Sequence, residues 1–422
     1  MYMADITSDA AHSPSFQQLS TSHLLTIHDL HSIPVHDNIT DIQHMYTVLA
    51  TAGGDLQAKI APRAIPSTIS TSPTILPHPC ATLCVATATC EHSPSWGPLC
   101  FLTGAADGVL RVWRAGQASS PAAQVPVTHA VDLAAAAAQL EAGGMHLPGR
   151  AWEHPASPSP ACTAMCVIPD AAGAGQLVVA GYACGTCVLY KLAPGSASGS
   201  GELVACGQVH APVHPLRVAA ASAGSSWPAV HAIALLATPA SGCDCAHICV
   251  TYSHGMVSVM EVALGAGLLS LQGCAAAGAP DVPVVAAAVL PSPLPSHRAV
   301  LRGDDAACTA SRQHWDSAPR CADAVLLALQ SGSVLRAAVA REDAGLELGD
   351  FSTVWSSSGV AACTGIAAVQ WPAEKFAHVW VATDAEVSGD ASGTDDDTAA
   401  AAAEATESSA GRAVQYFTLP AT

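Results

Sequence analysis

Charge is scarce in this chain. Only 11% of its 422 residues are Asp, Glu, Lys or Arg, and acids outnumber bases 33 to 15, for a formal net charge of −18. A nucleic-acid backbone or an anionic membrane surface would be repelled, so neither is an expected partner. Aromatics are scarcer still, at 5%. A core of Ala, Val, Leu and Cys makes thin layers, which suits sheets stacked on sheets. No apolar run reaches the roughly 20 residues of a membrane helix. The opening MYMADITSDAAHSPSFQQ has no basic end followed by an apolar stretch, so no secretory signal is expected, and the chain reads as intracellular, cytoplasmic or nuclear.

Catalytic templates are missing too. There is no phosphate-cradling Gly-Lys-Ser/Thr loop, no His-Glu-x-x-His and no dinucleotide fingerprint after a strand. PGSASGSGE has glycine and serine without the order of a nucleophile elbow. The reading is therefore of a protein that is not an enzyme and carries no cofactor. Cysteine, by contrast, is plentiful, with 16 residues. In a long chain without an export signal these read as reduced thiols used as small apolar side chains.

What the chain does have is a repeated hairpin. In FLTGAADGVLRVWRAG (Phe101 to Gly116) two alternating strands flank the turn Asp107-Gly108, and Trp113 falls five after the glycine. The same design recurs with Gly185 and Tyr190, Gly255 and Met260, Gly332 and Ala337, and Gly411 and Tyr416. At the front, Asp55 is read at the glycine position and Ile60 at the end. Each hairpin follows another apolar strand: Ile39 to Met45, Ala81 to Ala88, Cys162 to Ile168, Val230 to Ala237, Val282 to Leu290 and Gly365 to Trp371. A fourth β-like run tends to come after, as in QVPVTHAV, GELVACGQV, GLLSLQG and FSTVWSS. Four strands per unit, repeated, predicts an all-β fold: a β-propeller of six to seven four-stranded blades with long low-complexity loops.

Residues 1–22 are read as a flexible N-terminal segment and 23–422 as the propeller. His23 to Leu30 is read as a strand available to close the ring by completing the last blade. The loops hold Pro, Ser, Gly and Ala, as in 61–79, 117–160, 193–201 and 291–320. An Ala run after Thr128 or Asp132, ended by Gly143-Gly144, predicts one short helix. An acidic insertion at 386–410 splits the last hairpin, and its composition is that of a disordered spacer.

Through Asp107, Gly108 and Trp113 the chain resembles the WD-repeat family of β-propellers. The resemblance implies a structural network of the blade tryptophan, the turn aspartate, a Ser or Thr on the second strand and a histidine before the first strand. His78 would take the histidine part. This sequence departs from the family pattern at Ala105, two before the aspartate, where Ser is common, and at Trp113-Arg114 in place of Trp-Asp. In the other copies the turn aspartate is replaced by Gly54, Cys184, His254 or Ser331, and Asp384 is separated from Gly411. The resemblance implies a protein–protein interaction scaffold, a subunit or adaptor of a larger complex, with other proteins as partners. Asp107, Gly108, Trp113, Gly185, Tyr190, Gly255, Gly332, Gly411 and Tyr416 are expected to be structural blade positions.

Two cysteine patterns allow other chemistry. Cys184 and Cys187 have redox or zinc spacing, but they flank a hairpin turn and lack a second pair. Cys243, Cys245, His247 and Cys249 form the densest soft-ligand cluster, and alternation puts Cys243, Cys245 and His247 on one face of a strand. The bland reading, a loop entering a buried strand, is preferred to a metal site. The remaining alternative is a small-ligand or catalytic pocket at the mouth of the central channel, which would need polar side chains converging from several blades.

Overall fold

The computed structural model describes residues 2–5, 15–18, 27–36, 45–53, 56–64, 74–89, 99–114, 123–126, 161–168, 176–193, 202–210, 229–237, 245–277, 282–291, 322–342, 345–357, 362–370, 376–384 and 412–420. All of its regular structure is β. Strands β1 (Tyr2–Asp5) and β2 (Ser15–Gln18) pair with each other. Six antiparallel sheets follow in chain order, each built outward from its first strand.

Blade 1 is β3 (Ile27–His36), β4 (Met45–Gly53), β5 (Gln57–Ala64) and β6 (Thr74–Pro77). Blade 2 is β7 (Thr82–Thr89), β8 (Leu99–Ala105), β9 (Val109–Arg114) and β10 (Ala123–Pro126). Blade 3 is β11 (Cys162–Ile168), β12 (Leu177–Tyr182), β13 (Thr186–Ala193) and β14 (Glu202–His210). Blade 4 is β15 (Val230–Ala237), β16 (Cys245–Tyr252), β17 (Met256–Ala263) and β18 (Leu268–Ala276). Blade 5 is β19 (Val284–Pro291), β20 (Ala322–Leu329) and β21 (Ser333–Glu342), with its outer strand broken into β22 (Gly345–Leu348) and β23 (Ser352–Ser356), both on β21. Blade 6 has three strands, β24 (Ala362–Gln370), β25 (Phe376–Asp384) and β26 (Arg412–Pro420).

The first strands of successive blades lie against one another, β3 on β7, β7 on β11, β11 on β15, β15 on β19 and β19 on β24, while the outer strands touch more sparingly. That radial arrangement is a β-propeller. Packing of this order is not found between blade 6 and blade 1 among the described residues. From blade 2 to blade 6 each interface has its own core, supplied by alternate residues of the facing sheets. Leu102, Leu110 and Val112 meet Val178, Val188 and Tyr190 between blades 2 and 3. Val179 and Leu189 meet Ile248, Val250 and Met260 between blades 3 and 4. Cys249, Val257 and Val259 meet Val325, Leu327 and Leu335 between blades 4 and 5, and Leu326 and Val334 meet Val379 and Val381 between blades 5 and 6. Small residues let the sheets approach. A Cβ on Gly104 would collide with Cys162 Sγ of the next blade, and one on Gly181 with Val230 Cγ1 of the next.

One irregularity recurs in every blade. A bulge stands near the start of each first strand: His28, Leu83, Thr163, His231, Val285 and Thr364 each interrupt the pairing with the second strand. An extra residue there sharpens the twist where the blades converge.

The hairpin turns follow the glycine signal in blades 2 to 5. Gly108, Gly185, Gly255 and Gly332 have φ of 73°, 78°, 76° and 82°, in the left-handed region where a side chain is strained. Two ends of the repeat slip by one residue. In blade 1 the left-handed position is Leu56, with φ 63°, and Leu49 pairs with Ala61, so Leu56 and Ala61 replace Asp55 and Ile60 in the repeat. Gly54 and Asp55 themselves lie outside the described residues. In blade 6 Val379 pairs with Phe417 as Phe101 pairs with Trp113, which gives the tryptophan position to Phe417 and turns Tyr416 to the opposite face.

The first strand of blade 1 is a further correction. Ile27–His36 fills that role, and Met45 already belongs to the second strand, so Ile27 to Leu30 of the segment read as ring-closing are part of blade 1 itself, and residues 23–26 lie outside the described residues. Residues 39–44, the expected helix near 128–144, Gly411 and the acidic insertion at 386–410 lie outside the described residues.

Candidate interaction surface on the sixth blade

Strand β25 alternates without interruption. Ala377, Val379 and Val381 are buried against blade 5, so His378 and Trp380 stand on the other face. Register brings Tyr416 of β26 opposite Trp380 and Thr418 opposite His378. The three rings form a ladder. His378 Nδ1 and Tyr416 Oη share a hydrogen bond of 2.7 Å. Trp380 and Tyr416 have centroids 5.6 Å apart, and His378 stacks on both Trp380 and Tyr416 at 6.1 and 5.9 Å. Tyr416 remains 43% exposed, and Phe376 at the start of β25 is also exposed. Trp380 Nε1 is shielded and finds no hydrogen-bond acceptor among the described residues. On the covered face Phe417 stacks on Trp355 of blade 5, 5.8 Å apart and nearly parallel.

Beside this face lies a second unsatisfied feature. Strand β26 pairs with β25 on one edge and with no strand on the other among the described residues. Blades 1 to 5 all carry an outer strand at that position. An edge with no paired strand among the described residues, next to partly exposed aromatic rings, is an arrangement suited to an extended polypeptide.

The expected blade-2 network forms in two halves. Trp113 Nε1 donates to Thr103 Oγ1 at 2.8 Å, so the second-strand hydroxyl is Thr103 and not the residue at 105. His78 packs its ring 5.3 Å from Trp113. Asp107 turns elsewhere. It accepts the Val109 N–H at 3.0 Å and a two-pronged bond from Arg111 at 2.6 and 3.2 Å. Burial would raise the Asp107 pKa, but Arg111 and the Val109 amide outweigh it and hold the carboxyl below its usual value. Neither ring nitrogen of His78 has a hydrogen-bond partner among the described residues. Burial, aided by the Arg111 charge, lowers its pKa to about 4.

Blades 3 and 4 fill the same space differently. Tyr190 takes the tryptophan position and shares a 2.7 Å hydrogen bond with Tyr182, which stands where blade 2 has Ala105. Tyr252, at the corresponding place in blade 4, is 3.2 Å from Ser258 Oγ. These residues are all buried and structural. Cys184 and Cys187 are buried beside the blade-3 turn, with Cys184 Sγ 3.3 Å from Thr186 Oγ1, and burial raises both thiols. That is the opposite of the lowered pKa a reactive thiol needs.

The soft-ligand cluster divides. Cys249 is buried in the core between blades 4 and 5, where burial pushes its thiol up to about 12. Cys243 lies outside the described residues. Cys245 and His247 stand on β16 near the outer end of that core, and Glu261 of β17 pairs directly across from His247. The ligand atoms of Cys245, His247 and Glu261 all fall within 4.8 Å of one another. Sequence spacing shows the first two. Glu261 arrives from the next strand and is legible only through register.

No family model matches the chain, and no curated protein matches it. Among solved structures it is similar to the crystal structure of BBS1N in complex with ARL6DN, soaked with mercury, with 14% identity and a TM-score of 0.40, covering 80% of this chain and 70% of that one. The propeller architecture is established by strand order and blade packing. No helix among the described residues is long and apolar enough to cross a membrane.

Proposed function

We propose that this protein is a non-catalytic protein–protein interaction scaffold of the WD-repeat kind, an adaptor or subunit of a larger assembly. The observation that carries the reading is the sixth blade: a partly exposed His378–Trp380–Tyr416 ladder beside an edge of β26 that no strand pairs among the described residues. Aromatic rings supply large contact area at low entropic cost, and a strand edge supplies backbone hydrogen bonds, so together they favour an extended segment of a partner protein. The acidic balance of the chain favours a protein partner over nucleic acid. The degenerate WD signature of Asp107, Gly108 and Trp113 supports the family reading, and those residues hold the blade rather than contact a partner.

The test is partner purification from native extract with the wild-type chain and with the double substitution Trp380→Ala, Tyr416→Ala, followed by cross-linking to locate the contact. A reproducible partner should cross-link to β25 or β26 and fall at least about tenfold in recovery with the double variant, the loss expected when interface aromatics are truncated. A strictly monomeric protein with no reproducible partner, or a partner indifferent to the variant, defeats the reading.

A further inference from the structure

We propose that Cys245, His247 and Glu261 form a binding site for a zinc-type divalent cation, with a fourth position left open. The argument begins with the donor set. Thiolate, imidazole and carboxylate are the three side-chain ligand types zinc accepts, and three of them leave one position for water or an outside group. Geometry comes next. A tetrahedral cation with bonds of about 2.0–2.3 Å holds its ligand atoms about 3.3–3.8 Å apart. His247 Nε2 and Glu261 Oε2 are already 3.7 Å apart, and all three ligand atoms lie within 4.8 Å. Closing the remainder needs about 1 Å of side-chain adjustment, well within rotamer freedom.

The backbone fixes this arrangement. Alternation puts Cys245 and His247 on the same face of β16, and antiparallel pairing puts Glu261 opposite His247. Deeper on that face are Cys249, Val257 and Val259, all in the core between blades 4 and 5. Farther out, the apolar face gives way to these three polar residues, His247 and Glu261 being 12% and 30% exposed. An ion can enter there while the sheet holds the ligands rigidly. Gln272 of β18 donates to Glu261 Oε2 at 3.1 Å, an outer contact that orients the carboxylate. The inference is independent of the sixth blade and of any partner protein.

Cobalt(II) is the probe, because thiolate ligation gives a near-ultraviolet charge-transfer band and four-coordination gives intense visible bands. The full chain, reduced and metal-free, is titrated with cobalt and then with zinc as competitor. One cobalt per chain is expected, with a thiolate band that zinc abolishes. Cys245→Ser should remove the band. His247→Ala and Glu261→Gln should each weaken binding by about tenfold or more, and Gln272→Leu by about tenfold. Cys274→Ser, at an exposed thiol elsewhere on β18, should change nothing. Circular dichroism of each variant confirms the fold, and saturating zinc should raise the unfolding midpoint of the wild type and not of Cys245→Ser. Absence of stoichiometric binding overturns the proposal. So does a thiolate band that survives both Cys245→Ser and His247→Ala, because other cysteines would then hold the metal.

Discussion

The second and sixth blades each build a cluster from a histidine, a tryptophan and a hydroxyl, and the two clusters stand in opposite surroundings. His78, Trp113 and Thr103 are sealed, with Trp113 only 1% exposed. His378, Trp380 and Tyr416 form an open ladder on a face no other blade covers among the described residues. The same chemistry therefore serves folding in one place and leaves contact area available in the other. What separates them is which face of its sheet each cluster stands on, and whether another blade follows.

The sharpest way to break the comparison is truncation. Trp113→Ala should cost about 3–5 kcal/mol, because it empties a buried site and strands the Thr103 hydroxyl. Tyr416→Ala should change stability by less than about 1 kcal/mol. Denaturant unfolding of the two variants measures both, and equal losses would mean the ladder is structural after all.

Acid should distinguish the sealed cluster next. The folded His78 pKa is about 4, below the ordinary value of 6.5 in the unfolded chain. Between those values the unfolded chain binds the proton and the folded one does not, so stability falls as pH drops through that window. The loss is on the order of 3 kcal/mol at 1.36 kcal/mol per unit. Asp107 adds to it lower down, since its depressed pKa gives stability that is present above the unfolded value and lost as pH falls through the folded one. Stability measured against pH should show the His78 limb flatten in His78→Phe.

The smallest effect carries the comparison to the first blade. Leu56 occupies the left-handed turn position that Gly108, Gly185, Gly255 and Gly332 hold elsewhere, and its side chain is 46% exposed. Leu56→Gly should stabilise by about 1 kcal/mol, read as a shift of the denaturation midpoint, whereas Gly108→Leu should destabilise.

The inner blades were legible because glycine marks a turn that only glycine occupies easily, and the strand after it alternates. The end blades misled for the same reason. Gly53 and Gly54 advertise a turn whose left-handed residue is a leucine, and counting five from Gly411 selects Tyr416 where the pairing of β26 selects Phe417. The sixth-blade ladder had a visible signal in the alternation of His378 and Trp380. Its exposure did not, since alternation names two faces and never says which one a neighbour covers. Glu261 was hidden likewise, because cross-strand register is a property of pairing and not of spacing.

The six bulges have their own consequence. In blades 2 to 6 the residue before the bulge is locked in place: Thr82, Cys162, Val230, Val284 and Cys363 are all essentially inaccessible. The bulged residue is less covered: Leu83, Thr163 and Val285 are half-buried, Thr163 donating to the Val230 carbonyl at 2.6 Å and Val285 packing against the core between blades 5 and 6, whereas His231 and Thr364 are exposed. Packing therefore places few demands on His231 and Thr364, which already differ in chemistry. These two exposed positions are variables on the first strands that mutation can rewrite one at a time, leaving the cores between blades undisturbed.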